Sequence, residues 1–310
     1  MALLLAGCGG GNSGGTGLAY TGVTTPAVID FDNGQDLATG AFINGKSGGI
    51  LGEALSVQQL DRGDHAPRTL LLAQLLDTMS ADMQPVPAAA DGFTAVTFAN
   101  NRDGRCGGVR TYNIEADPLT GEISGTARFR AYCEDDIRVS GFLHITGAYN
   151  SLTKKLTTIT LTIESLLIAT PNDLFTVQGS MSFDRSASPL TIRMDILVKD
   201  GVSGDVFRDK DYVITIDTGN DPGFGDYVEV TISGRFYSPR TGYVDIDTTV
   251  PIRTYISERW PSICEMTVTA VNRDGDEATA RLVALNAKGY MVVIDLGYAK
   301  QTFTANWEGL

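Results

Sequence analysis

Few residues in this chain have chemistry to offer. Cysteines stand at positions 8, 106, 133 and 264, and histidines at 65 and 144. Cys8 closes the run Leu5-Ala-Gly-Cys8, where apolar and then small residues precede a cysteine. That order is a lipobox: cleavage before Cys8 leaves its thiol to carry a lipid. The glycine- and serine-rich residues behind it make 8–17 a flexible tether, a random coil rather than a spacer. An export signal needs a positively charged start and an apolar region of about 7–15 residues. Only Met1 to Gly7 precede the cysteine and none is Lys or Arg, so 1–7 reads as a signal remnant whose true start lies upstream. The competing reading is a cytosolic protein with an apolar N-terminal segment and an incidental cysteine.

With Cys8 assigned to lipid, the other three cysteines lack the spacing of a zinc site. Cys106 and Cys133 flank a strand–turn–strand pattern, Val109 to Glu115, Asp117-Pro-Leu-Thr-Gly121 and Ile123 to Phe129. If the hairpin is centred between Leu119 and Thr120, the two cysteines are equidistant from its centre. They then face each other at its open end, within reach of a disulfide. A bulge at Gly121 or Gly125 would move that register by one residue. Cys264 reads as a buried free thiol; as a nucleophile it would have no histidine near it in sequence.

His65, in Arg62-Gly-Asp-His65, belongs to a loop. His144 alternates with Leu143 and Ile145 and so points to the opposite side of its strand. Neither sits with a nucleophile and an orienting group. Asp274, Asp276 and Glu277 gather oxygen atoms around Gly275, as calcium can use, but Asp-Gly is equally a hairpin turn. The same holds for 217–221 with Asp226. No cofactor is indicated.

The 310 residues carry a net charge of −13 and are 43% hydrophobic. There is no basic cluster to follow a phosphate backbone, which excludes nucleic acid as a partner. An acidic body is also repelled by anionic lipid, leaving the acyl chains as its anchor. No run of about 20 apolar residues exists to span a bilayer.

The elements divide the chain in two. Region 18–90 is helical and loop-like. Asp32 with Gln35 forms a capping box for a short helix through Asp36-Leu-Ala-Thr39 that ends near Gly40, followed by the glycine-rich loop Asn44 to Gly49. A second helix, 67–80, begins at Pro67. Its apolar face is too broad for a wet surface, and Leu72, Leu75, Leu76 and Met79 are its ligand-facing candidates. Pro85-Val-Pro87 then breaks the chain.

Region 91–310, with a sub-boundary near 255–262, alternates at period two, as in Leu156-Thr-Thr-Ile159-Thr-Leu161-Thr-Ile163. Such alternation marks half-buried antiparallel strands. Turn signals fall at 199–201, 217–220, 238–242 and 273–275. About a dozen strands or more are too many for an open sheet that neither curls nor splits. A faint repeat, Ile123-Ser-Gly125, Val139-Ser-Gly141, Val177-Gln-Gly179 and Ile232-Ser-Gly234, puts glycines where bulges or bends occur. The fold class is therefore mainly β: a large, strongly curved antiparallel sheet with a short N-terminal helical region packed on it. A two-sheet sandwich is the alternative.

Tyr20-Thr-Gly-Val-Thr-Thr-Pro-Ala27 with Asn33 and Leu37, together with Gly234-Arg-Phe-Tyr237 and Gly242-Tyr-Val244, resembles a family of uncharacterised bacterial lipoproteins. These have a lipobox, a Gly/Ser tether and a long β-rich extracytoplasmic body. The resemblance implies no activity and no functional residue beyond the anchor. Three readings follow. The first is a non-catalytic, lipid-anchored binding or structural protein of the envelope or cell surface, with the outer membrane as its site and an envelope protein as a partner. The second is a periplasmic carrier or chaperone holding an apolar ligand between the sheet and helix 67–80. The third is a hydrolase assembled from distant residues.

Overall fold

The computed structural model describes residues 17–42, 96–117, 119–134, 136–150, 155–171, 174–184, 186 and 189–309. Cys8, His65, helix 67–80 with Leu72, Leu75, Leu76 and Met79, and the Arg62-Gly-Asp triplet lie outside them.

Among the described residues, fourteen strands form one antiparallel sheet, each paired with its neighbours in sequence and the two ends left unjoined. They are β1 (Val96–Asp103), β2 (Val109–Ala116), β3 (Glu122–Glu134), β4 (Ile137–Asn150), β5 (Lys155–Ala169), β6 (Leu174–Asp184) and β7 (Leu190–Asp200). There follow β8 (Val206–Asp221), β9 (Gly225–Ser238), β10 (Gly242–Tyr255), β11 (Ile263–Val271), β12 (Glu277–Asn286), β13 (Gly289–Asp295) and β14 (Lys300–Asn306). Alternation works as the sequence requires. On β4, Leu143 and Ile145 are fully buried while His144 is exposed; on β7, Ile192, Met194, Ile196 and Val198 are buried. The inward side chains of β2 to β13 join one continuous apolar cluster, so a single meander curves round its own core.

The curvature is tied to three of the four repeat glycines. Gly141, Gly179 and Gly234 have φ of 140°, 132° and 137°. Beside each, the preceding strand of the same hairpin carries a bulge: at 130–131 in β3, 164–165 in β5 and 211–212 in β8. Each bulge moves the buried side chains from odd to even positions: Phe129 then Tyr132, Ile163 then Leu166. An extra residue reverses which side chains face inward and adds local twist and bend. Gly125 differs: it pairs in regular register with Ile114 and Ile145.

Residues 17–42 fasten across this sheet. Tyr20 packs on Tyr237 and donates to the Ser238 carbonyl. Ala27 donates to the Tyr243 carbonyl of β10 at 2.7 Å, and Ile29 to the Val271 carbonyl of β11 at 2.7 Å. Pairing between those strands begins only at Asp245 and Thr269, so the segment stitches their splayed ends. A Cβ on Gly242, where φ is 98°, would come within 2.3 Å of the Thr25 carbonyl oxygen.

A helix, α1, covers 34–42. Its cap differs from the expected Asp32–Gln35 box. The Asp30 carboxylate accepts from the Asp32 and Asn33 amides, and Asn33 Oδ1 accepts from the Asp30 amide. The reciprocal pair lies two residues earlier because Asp30 is where the stitched strand stops. The helix also passes through Gly40, and Ala38 and Phe42 on it are fully buried. Phe42 reaches Trp307, which stacks on Trp260 and lies 4.6 Å from Tyr290. Among the described residues, no helix is long and apolar enough to cross a membrane.

Candidate functional site

The disulfide forms between Cys106 and Cys133, with Cα atoms 5.0 Å apart. The hairpin pairs Ala116 with Ile123 through Val109 with Arg130, centred between Leu119 and Thr120 without the one-residue shift. Beyond it, Cys106 donates to the Cys133 carbonyl and Cys133 to the Gly107 carbonyl. Closing this loop stabilises the fold by about 3–4 kcal/mol in the chain-entropy model.

The acidic turns are hairpin turns. Asn272 Oδ1 accepts from the Asp274 and Asp276 amides, and Asn272 Nδ2 donates to the Leu296 carbonyl. Asp274, Asp276 and Glu277 thus surround a turn built by Asn272, and no three His, Cys, Asp or Glu side chains gather as a metal site among the described residues. The signal at 217–220 was misplaced: β8 runs on to Asp221 and the chain turns at 222–224, where the Asp221 carboxylate accepts from Gly223. Cys264 is a buried free thiol. Burial pushes its pKa up to about 12, so it does not ionise near neutral pH. His144 Nε2 lies 2.9 Å from Glu164 Oε1, on the outer face with both side chains about half exposed. The 255–262 stretch is the last residue of β10 and the loop that leads to β11, and the sheet continues across it.

Gly40, Gly45, Lys46 and Ser47 fall at the spacing of a phosphate-binding loop. Such a loop follows a strand and opens a helix. Here Gly40 lies inside α1 and Phe42 is packed on Trp307, so the required context is missing at its start.

The outer face is laced by arginines set over rings and paired with acids. Arg235 bonds Asp245 and lies 3.8 Å from the Tyr243 ring centre. Arg253 bonds Glu229 over Tyr227. Arg208 Nη2 donates to both carboxylate oxygens of Asp195, each at 3.2 Å. Beside α1, a cavity of about 250 Å³ is lined by Asp30, Asp32, Arg273 and Tyr298 among others. Its acid and base are bonded to each other, with Arg273 2.9 Å from Asp30.

The inner face holds polar groups that periodicity does not reveal. Asp209 pairs with Ile196 on one side and Phe236 on the other. Ile196 is fully buried and Phe236 packs on the core; directly opposed residues share a face, so Asp209 faces inward too. Tyr212, 2% exposed, has a buried hydroxyl with no hydrogen-bond partner. Burial, then the Asp195 charge, raises the Asp209 pKa to about 7, and burial raises that of Tyr212. Counting back by twos from Ile216 and Ile214 would put Asp209 outside. The bulge at Asp211 turns it in, and the signal is Gly234 on the neighbouring strand. A second inward group is Arg110, fully buried, with Tyr112 and Tyr132 rings 5.5 and 5.0 Å from its guanidinium carbon.

Fold and site together define a class: an open, curved, all-antiparallel β meander, disulfide-closed near one edge, with polar groups on its concave side. No family model matches the chain, and neither does any curated protein or solved structure.

Proposed function

We propose that this is a non-catalytic binding or structural protein working outside the cytoplasm, held on a membrane, the outer membrane of a bacterial envelope, by lipid on Cys8. The observation that carries the reading is the Cys106–Cys133 disulfide, because such bonds persist in oxidising compartments and are reduced in the cytosol. The net charge of −13 supports it as well, since an acidic body leaves attachment to the acyl chains. The test is to denature intact cells of the native host directly into an alkylating reagent. Labelling of Cys264 without Cys106 and Cys133, in the membrane fraction, agrees with the proposal; labelling of all three in the cytosol contradicts it.

A further inference from the structure

The concave face loses its apolar character at one place. Along β8 and β9 the deep inward residues Ile214 and Ile232 are 0% and 1% exposed. Past the bulge, Phe207, Asp209 and Phe236 continue the same face and are only partly buried. The Phe207 and Phe236 rings stack with centres 6.0 Å apart. Val198, opposite Phe207, is in the core, which fixes the direction of that ring. Two rings, a carboxyl and a buried tyrosine hydroxyl therefore share one patch of the inner surface, next to a backbone held open by Asp211 and Gly234.

Neither polar group is satisfied among the described residues. Tyr212 Oη has no hydrogen-bond partner, and among the described residues the Asp209 side chain forms no hydrogen bond or ion pair. A buried polar group without a partner costs about 1–3 kcal/mol, and a charged one more. Three basic side chains of β8 and β9 are engaged on the opposite face: Arg208 with Asp195, Arg235 with Asp245, and Lys210 near Asp211. Among the described residues, no basic side chain is paired with Asp209.

We propose that this patch binds an organic amine carried on an apolar body. Its ammonium would donate to the Asp209 carboxylate and the Tyr212 oxygen, with Phe207 and Phe236 against the adjoining carbons. One carboxylate and one hydroxyl are too few oxygens for a calcium ion, which takes six to eight. Aromatic faces beside a carboxylate suit an ammonium instead. The proposal deepens the binding reading and names the ligand class; it does not depend on where the protein is located.

The test is calorimetric titration of the full chain at pH 7.5 with n-octylamine, against octanoate as the oppositely charged control. Octylamine should bind saturably and octanoate should not. Asp209→Asn should weaken octylamine at least tenfold, and Tyr212→Phe at least threefold. Octylamine binding should also weaken below pH 6, as the carboxyl becomes protonated. Absence of saturable octylamine binding, equal binding of octanoate, or an unchanged affinity in both variants would overturn the proposal. Should Asp209→Asn not fold, the Tyr212→Phe result decides. Octylamine binding is read independently of processing at Cys8, so failure here and failure of the lipid anchor are separate results.

Discussion

Gly234 and Asp211 lie across from each other on β9 and β8, both with positive φ, 137° and 52°. A Cβ on Gly234 would stand 2.6 Å from the Tyr212 Cα. The glycine is therefore what allows β8 to bulge, and the bulge is what turns Asp209 toward the core.

Gly234→Ala should destabilise the protein by about 2–4 kcal/mol, combining positive-φ strain with a clash against backbone. Gly40→Ala is the contrasting case. Gly40 sits within α1 with nothing inside 4 Å of a new Cβ, so alanine should stabilise by about 0.5–1 kcal/mol. Urea denaturation of the two variants checks both signs.

Reduction, or Cys106→Ser with Cys133→Ser, should cost about 3 kcal/mol and lower Tm. Equal Tm with and without reductant would mean that the bond adds nothing to this hairpin.

Asp209 contributes a pH dependence above pH 4. Its folded pKa of about 7 exceeds the ordinary carboxyl value of about 4, so the fold retains a proton that the unfolded chain releases. Stability should therefore decline as pH rises from about 4 to about 7 and level off beyond. Below that range the sign reverses. Asp30, held low chiefly by its hydrogen bond from Arg273, contributes stability that acid removes. Thermal melts of Asp209→Asn from pH 4 to 8 should show the decline removed and a higher Tm at pH 8.

Gly242→Ala should loosen the N-terminal segment. The added methyl would meet the Thr25 carbonyl and separate the chain from Tyr243. Amide exchange at Ala27 and Ile29 should quicken while that of Ile214 in the sheet centre does not. Unchanged exchange at Ala27 would show that the stitch tolerates the methyl.

Periodicity carried much of the fold. Val, Ile and Leu alternating with Thr and charged residues announced the strands, and Asp117 to Gly121 centred the hairpin that aligns Cys106 with Cys133. The helix cap was displaced because Asp30 and Asn33 are as good a reciprocal pair as Asp32 and Gln35. Only the stitch at Val271, a contact from far along the chain, decides between them. The inner polar patch was not legible for a different reason. A single extra residue at Asp211 reverses the facing of everything before it on β8, and alternation alone cannot signal the reversal. Val177-Gln-Gly179 and Ile232-Ser-Gly234 marked the bends, but the bulges themselves lie on the partner strands.

The proposed lipid anchor on Cys8 is the centre of the functional account, and mass spectrometry of the mature N-terminus from the native host tests it most directly. The account predicts a first residue of Cys8 carrying acyl chains. An unacylated N-terminus that retains the residues before Cys8 would contradict it.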